Sequence, residues 1–197
     1  MNRAYHEATI TVLASILFLI VPARGWGVEQ HYVVDGTQSH ITFAAHSTGH
    51  NFQGQSSQIS GRFGYEAQRI AESGAGEVHI PIRSIQTGIS ARDSRMYQSF
   101  DADHFPEILF RVRRLSGTEH METTLFSGRL VGELSIKGVT KEIPVTLVVT
   151  PGENRQLVIK GTTSLRMTDF NIEPPGFLLF RVDEEVQIAF RVVGKAE

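Results

Sequence analysis

Apolar residues recur at every second position along most of this chain, and no other feature constrains its fold as strongly. Residues 39–47 put Ile41, Phe43 and Ala45 on one face and His40, Thr42, Ala44 and His46 on the other. Residues 76–85 align Val78, Ile80 and Ile82, and residues 107–115 set Ile108, Phe110 and Val112 against Leu109, Arg111 and Arg113. Leu130, Leu134 and Ile136 precede a Lys137-Gly138 turn, and Ile143, Val145, Leu147 and Val149 follow it. With segments 57–67, 156–165 and 185–193 the count reaches about eight strands. Short turns between period-two segments describe consecutive antiparallel hairpins with one buried face.

Strands without a covering helical layer hide that face by closing into a barrel or by folding into a sandwich. The chain has 18 glycines. Several fall inside strands (Gly61, Gly64, Gly128, Gly132, Gly161) and favour a curved, sharply bent sheet. A closed barrel of this strand number is just wide enough to hold one small or elongated ligand. Internal repeats and low-complexity linkers are both missing, so the 197 residues, 41% of them hydrophobic, suit one domain with a substantial core.

The formal net charge is −2 and no lysine or arginine block exists, which argues against a nucleic-acid partner. The chain has no cysteine, which excludes disulfides, thiolate metal sites, a cysteine nucleophile and a lipoprotein anchor. Residues 1–27 differ in kind. Arg3, an apolar run at 10–21 and the small residues Ala23, Gly25 and Gly27 follow the order of a secretory signal peptide. Residues 1–25 are therefore expected to be removed, with cleavage after Gly25 or Gly27. An exported domain over residues 30–195 remains, periplasmic or secreted.

Residues 90–110, SARDSRMYQSFDADHFPEILF, break the alternation. A short helix over 91–100 would place Arg92, Arg95 and Met96 on one face and Asp93 and Tyr97 on the adjacent one, with Met96, Tyr97 and Phe100 offered to a core. Such a helix can plug one barrel opening. It reads either as a cationic mouth for a polar or anionic head group or as a clamp bonding backbone groups. Chemistry is thin elsewhere. His40 and His46 share a face but lie about 20 Å apart along a strand, His50 follows Gly49, and no metal motif is present. No nucleophile elbow appears either, and Ser39 and His40 point to opposite faces.

Several segments together resemble the YceI family, exported lipocalin-like barrels that bind polyisoprenoids. YVVDGTQSHITFAAHSTG carries Asp35, Ser39, His40 and His46, and GRFGY follows it. The stretch from Val78 to Phe110 supplies Ser84, Ile85, Thr87, Arg92, Asp93, Phe105 and Pro106 in the family's order. GELSIKGVTKEI matches a further motif, with Ser135 where threonine and Lys137 where histidine is common. The resemblance covers roughly residues 32–193. It implies an all-β fold, an eight-stranded antiparallel up-and-down barrel with a short helical insert, and an apolar interior for a prenyl chain.

With the larger apolar faces turned inward, the expected lining is Phe43, Phe63, Ile80, Ile82, Phe110 and Leu134. Thr87, Arg92 and Asp93 are expected at the mouth. The expected partner is an isoprenoid or other long-chain lipid, with transient membrane contact and homodimerisation left open; no cofactor, metal or catalytic residue is expected. The rival readings are an enzyme on a small hydrophobic substrate, with Asp93 or His46 as base, and a structural or stress-related barrel filled by its own 12 phenylalanines. The apolar stretch 174–180 reads as a lip or as an interface strand.

Overall fold

The computed structural model describes residues 29–48, 51–66, 69–121, 124–174, 176–177 and 180–197. The expected signal peptide and His50 lie outside the described residues, as does part of the 174–180 stretch. In chain order the strands are β1 (Glu29–Val34), β2 (His40–Ser47), β3 (Phe52–Ser56), β4 (Ser60–Glu66), β5 (Ala75–Pro81) and β6 (Glu107–Met121). They continue with β7 (Thr124–Ile136), β8 (Val139–Pro151), β9 (Gln156–Arg166), β10 (Gly176–Phe177) and β11 (Phe180–Ala196). Helix α1 (Ile70–Ser73) joins β4 to β5, and helix α2 (Ser90–Ser99) lies between β5 and β6.

The ring runs β1-β4-β5-β6-β7-β8-β9-β11 and closes because β1 pairs with β11. Those eight strands form a closed antiparallel barrel, as expected. One member differs from the sequence reading. Residues 39–47, expected in the ring, form β2, half of an added hairpin with β3, and β1, which the alternation did not mark, is the eighth ring strand. β11 pairs with β1 only at Gly194–Ala196 and with β2 over 182–191. Two short strands thus share one position beside one long strand.

The handover between them falls at Asp35–Ser39, where a ladder would leave backbone groups unpaired. The amide of Asp35 donates to the Val193 carbonyl at 2.8 Å, and the Val193 amide donates to Ser39 Oγ at 2.9 Å. Ser39 Oγ in turn donates to the Asp35 carbonyl at 2.7 Å. A serine hydroxyl here takes the place of a strand carbonyl.

The Asp35 carboxylate pairs with Lys195 Nζ at 2.8 Å and accepts from the Thr37 amide, Thr37 Oγ1 and Gln38 Nε2. Lys195 first, then these donors, hold its pKa well below the usual carboxylate range. A depressed folded pKa contributes stability above the unfolded value of about 4 and loses it as the pH falls further. Asp35→Asn should therefore melt below wild type at neutral pH, with the gap closing below about pH 4. Melting curves of both proteins across pH test this, and parallel curves would remove Asp35 from the account.

Two local departures from strict alternation shape the interior. The strand expected to reach residue 85 stops at Pro81, because proline has no amide to donate and fixes its own φ. Residues Ile82–Ser84 form a 3₁₀ turn instead, and the Ile82 amide donates to the Pro106 carbonyl at 2.9 Å. On β6, the register against β7 shifts between Val112 and Arg114. This bulge returns Leu115 to the inner face, where strict alternation would turn it out.

Candidate functional site

The inner faces of these strands do not meet at the barrel's centre. Two apolar chambers lie along the lumen, one of about 530 Å³ and one of about 230 Å³. Ile41, Ile80, Ile108, Ile136, Leu165 and Ile188 face both. The larger, near chamber sits at the end where β5, β7 and β9 finish and α2 crosses. The smaller, far chamber continues to the opposite end beneath α1, whose Ile70 is buried in a cluster with Phe126, Leu130, Val145 and Leu147.

The lumen stays hollow although phenylalanines line it, and the reason lies across the strands. Phe190 sits opposite Gly161, Phe43 opposite Gly54 and Phe63 opposite Gly76, while Phe110 reaches diagonally to Gly132. The rings of Phe190, Phe43 and Phe110 occupy space that a Cβ on these glycines would need, and the Phe63 ring does the same over Gly194. A Cβ on Gly161 would stand 2.5 Å from Phe190 Cζ, and one on Gly132 would meet Phe110 Cζ closer still. Resting on bare backbone, the rings lie against the wall instead of standing into the lumen.

Helix α2 forms the rim of the near chamber. Arg92, Arg95, Met96, Ser99 and Phe100 line it, a spacing of three and four residues that defines one helical face. The adjacent face is bolted down. Tyr97 Oη donates to the Ile85 carbonyl at 2.7 Å, and the Arg83 guanidinium lies 5.7 Å from the Tyr97 ring centre while pairing with Asp103. Thr87 joins the two residues that most distinguish the insert. Asp93 Oδ1 accepts from the Thr87 amide at 2.9 Å and from Thr87 Oγ1 at 2.5 Å. Arg92 donates through Nε to Thr87 Oγ1 at 2.8 Å and through a terminal nitrogen to the Thr87 carbonyl at 2.7 Å.

The clamp and the rim of the near chamber are therefore one device. Asp93, in the first turn of α2, also complements the positive helix end. Arg92 lies 4.6 Å over the Phe52 ring, which leaves its cationic plane at the chamber edge. Among the described residues neither Arg92 nor Arg95 forms an ion pair, whereas Arg166, on the same chamber, is neutralised by Glu184 at 2.6 Å.

Of the residues expected to line the lumen, the near chamber takes Phe43, Thr87 and Arg92, and the far chamber takes Phe63, Phe110 and Leu134. Ile80 faces both. Ile82 lines neither: the 3₁₀ turn after Pro81 carries it out of the alternation into a fully buried position. Asp93 lines neither as well, since its carboxylate turns back to Thr87. Sequence reasoning left out Phe52, Arg95 and Ile188. The last two had signals, namely the helical spacing from Arg92 and the inward face of the final strand.

His46, the other candidate base, is exposed, and its Nδ1 lies 2.7 Å from Asn51 Oδ1, away from both chambers. Among the described residues no three His, Asp or Glu side chains are grouped to hold a metal ion.

Comparison with known proteins places this geometry. The model of the YceI-like domain family matches residues 32–194. The crystal structure of Burkholderia cenocepacia BcnA superposes with a TM-score of 0.69 at 19% identity, covering 81% of this chain and 98% of that one. A polyisoprenoid binding domain from Saccharophagus degradans, implicated in plant cell wall breakdown, superposes at 0.64 with 17% identity, covering 84% and 98%. The Campylobacter jejuni YCEI protein gives 0.56 at 20% identity, covering 73% and 84%. At such identities the likeness is one of fold. No curated protein sequence matches the chain.

Proposed function

The chain belongs to the YceI-like domain family, and on that premise we propose that it is an exported binding protein for one long amphiphile. The ligand class is a polyisoprenoid or a molecule resembling an isoprenoid quinone. The observation that carries this reading is the apolar near chamber of about 530 Å³ with Arg92 and Arg95 at its rim. The tail lies in the lumen and the head group stays at α2. A guanidinium offers a planar fork of donors to a phosphate, carbonyl or hydroxyl. Burial of hydrocarbon is worth about 0.8 kcal/mol per CH₂, so a five-carbon isoprene unit contributes roughly 4 kcal/mol before ordering costs.

Binding is favoured over catalysis by the direction of the two candidate bases. A general base must reach the proton that it removes, and neither Asp93 nor His46 faces a chamber. The wall-lying phenylalanines weigh against a barrel filled by its own side chains. Export rests on the character of residues 1–27, which puts the mature domain in the periplasm or outside the cell. Loading from a bilayer there requires transient contact between the mouth and a membrane.

The test is native mass spectrometry of the protein purified without detergent from the extracytoplasmic fraction, before and after solvent extraction. The expected spectrum shows a chain shortened at its N-terminus and one added mass, lost on extraction, that matches a prenyl lipid. A bare mass that stays bare after incubation with prenyl quinones would overturn the proposal.

A further inference from the structure

The two chambers are bounded differently. Arg92 and Arg95 stand at the rim of the near one, while the far one ends beneath α1, with Ile70 5% exposed. A tail that enters at α2 uses the near chamber first and runs out of room in the far one. The residues that set this room are the ring–glycine contacts, for Phe63, Phe110 and Phe190 all line the far chamber. The Phe63 ring lies against Gly194, the Phe110 ring against Gly132, and the Phe190 ring against Gly161.

A ring displaced from any of these glycines has one direction to go. Outward lies the strand backbone, and inward lies the chamber of about 230 Å³. We propose that the far chamber gauges the length of the hydrocarbon tail, and that Gly132 and Gly161 set the longest chain accepted by letting Phe110 and Phe190 lie against the wall. The gauge rests on the lipid-binding reading above. It gives these glycines a role beyond the close approach of neighbouring carbonyls, Arg111 at Gly132 and Thr146 at Gly161, each 2.7 Å from a Cβ placed there. From Ile108 to Leu115 the inner face of β6 runs about 23 Å along the strand, so the lumen has depth enough for a tail several units long.

The experiment offers an equimolar ladder of prenyl alcohols, graded by one isoprene unit, to wild type and variants and reads the bound species by native mass spectrometry. Wild type should show an upper cut-off in chain length. Phe110→Ala and Phe190→Ala should each raise that cut-off by at least one unit. Gly132→Ala should lower it by at least one unit, and the double change Gly132→Ala with Phe110→Ala should restore it, because the displaced ring is gone. The Gly132 Cβ also approaches the Arg111 carbonyl at 2.7 Å; if that variant does not fold, the two phenylalanine variants decide alone. Wild type without a cut-off, or phenylalanine variants with an unmoved one, would overturn the gauge and leave lipid binding standing. Wild type that takes up no alcohol at all would overturn lipid binding and the gauge with it.

Discussion

Ile188→Trp is expected to abolish uptake of a long amphiphile while leaving the barrel folded. Ile188 projects from β11 into the zone common to both chambers, so an indole there blocks the lumen midway. Small-to-large changes strain a core that is already full. Beside an open chamber of about 530 Å³ the added ring has somewhere to go. Exclusion of even one isoprene unit removes roughly 4 kcal/mol of burial, which corresponds to more than two orders of magnitude in affinity. Competition between wild type and variant for one labelled prenyl lipid, with melting curves alongside, measures both effects. Equal binding by a folded variant would mean that the tail does not pass Ile188.

Ser39→Ala should cost about 1–3 kcal/mol, a large effect for the loss of one oxygen. Ser39 is 2% exposed and Val193 is fully buried. Without the hydroxyl, the Val193 amide loses its acceptor at a position buried from solvent. The penalty is that of a stranded donor, not that of an average hydrogen bond. Denaturant unfolding gives the magnitude, and hydrogen exchange at the Val193 amide locates it. Unchanged stability with slow exchange at Val193 would show that another group accepts this bond.

Seven of the ring's strands and most of their inward faces were legible from alternation, because one buried side imposes a period of two on each strand independently; β1 was not, and β2 stood in its place in the count. What escaped depends on partners distant in sequence. Phe190 and Gly161 become neighbours only once the β9–β11 register is known, and no local pattern in either strand marks the pair. The bulge after Val112 adds one residue to β6 alone, which alternation within that strand cannot reveal. Ile82 was misplaced for a different reason: Pro81 ended its strand, and that proline was visible. The Arg92–Asp93 insert could be read as a mouth or as a clamp because the same donors serve either role. Thr87, five residues before Arg92, makes it a clamp and leaves Arg92 at the chamber rim.

The hairpin β2–β3 has a consequence for how the wall can open. Along β6 and β7 the wall is a ladder that runs from Leu109 to Met121. Between β3 and the segment after β5, two backbone hydrogen bonds hold it among the described residues, Gln55 to Gln86 at 2.8 Å and Gln86 to Gln55 at 2.9 Å, with the Ser56–Ser84 hydroxyl contact beside them at 2.6 Å. Opening free energies within one protein range widely and follow the number of bonds that must part. The barrel therefore has a hem with few stitches, and it lies beside the near chamber, next to Arg92 and Phe52. On the lipid-binding reading, a bulky tail need not thread the mouth end-on, for this sparsely bonded seam lies where the polar rim already is.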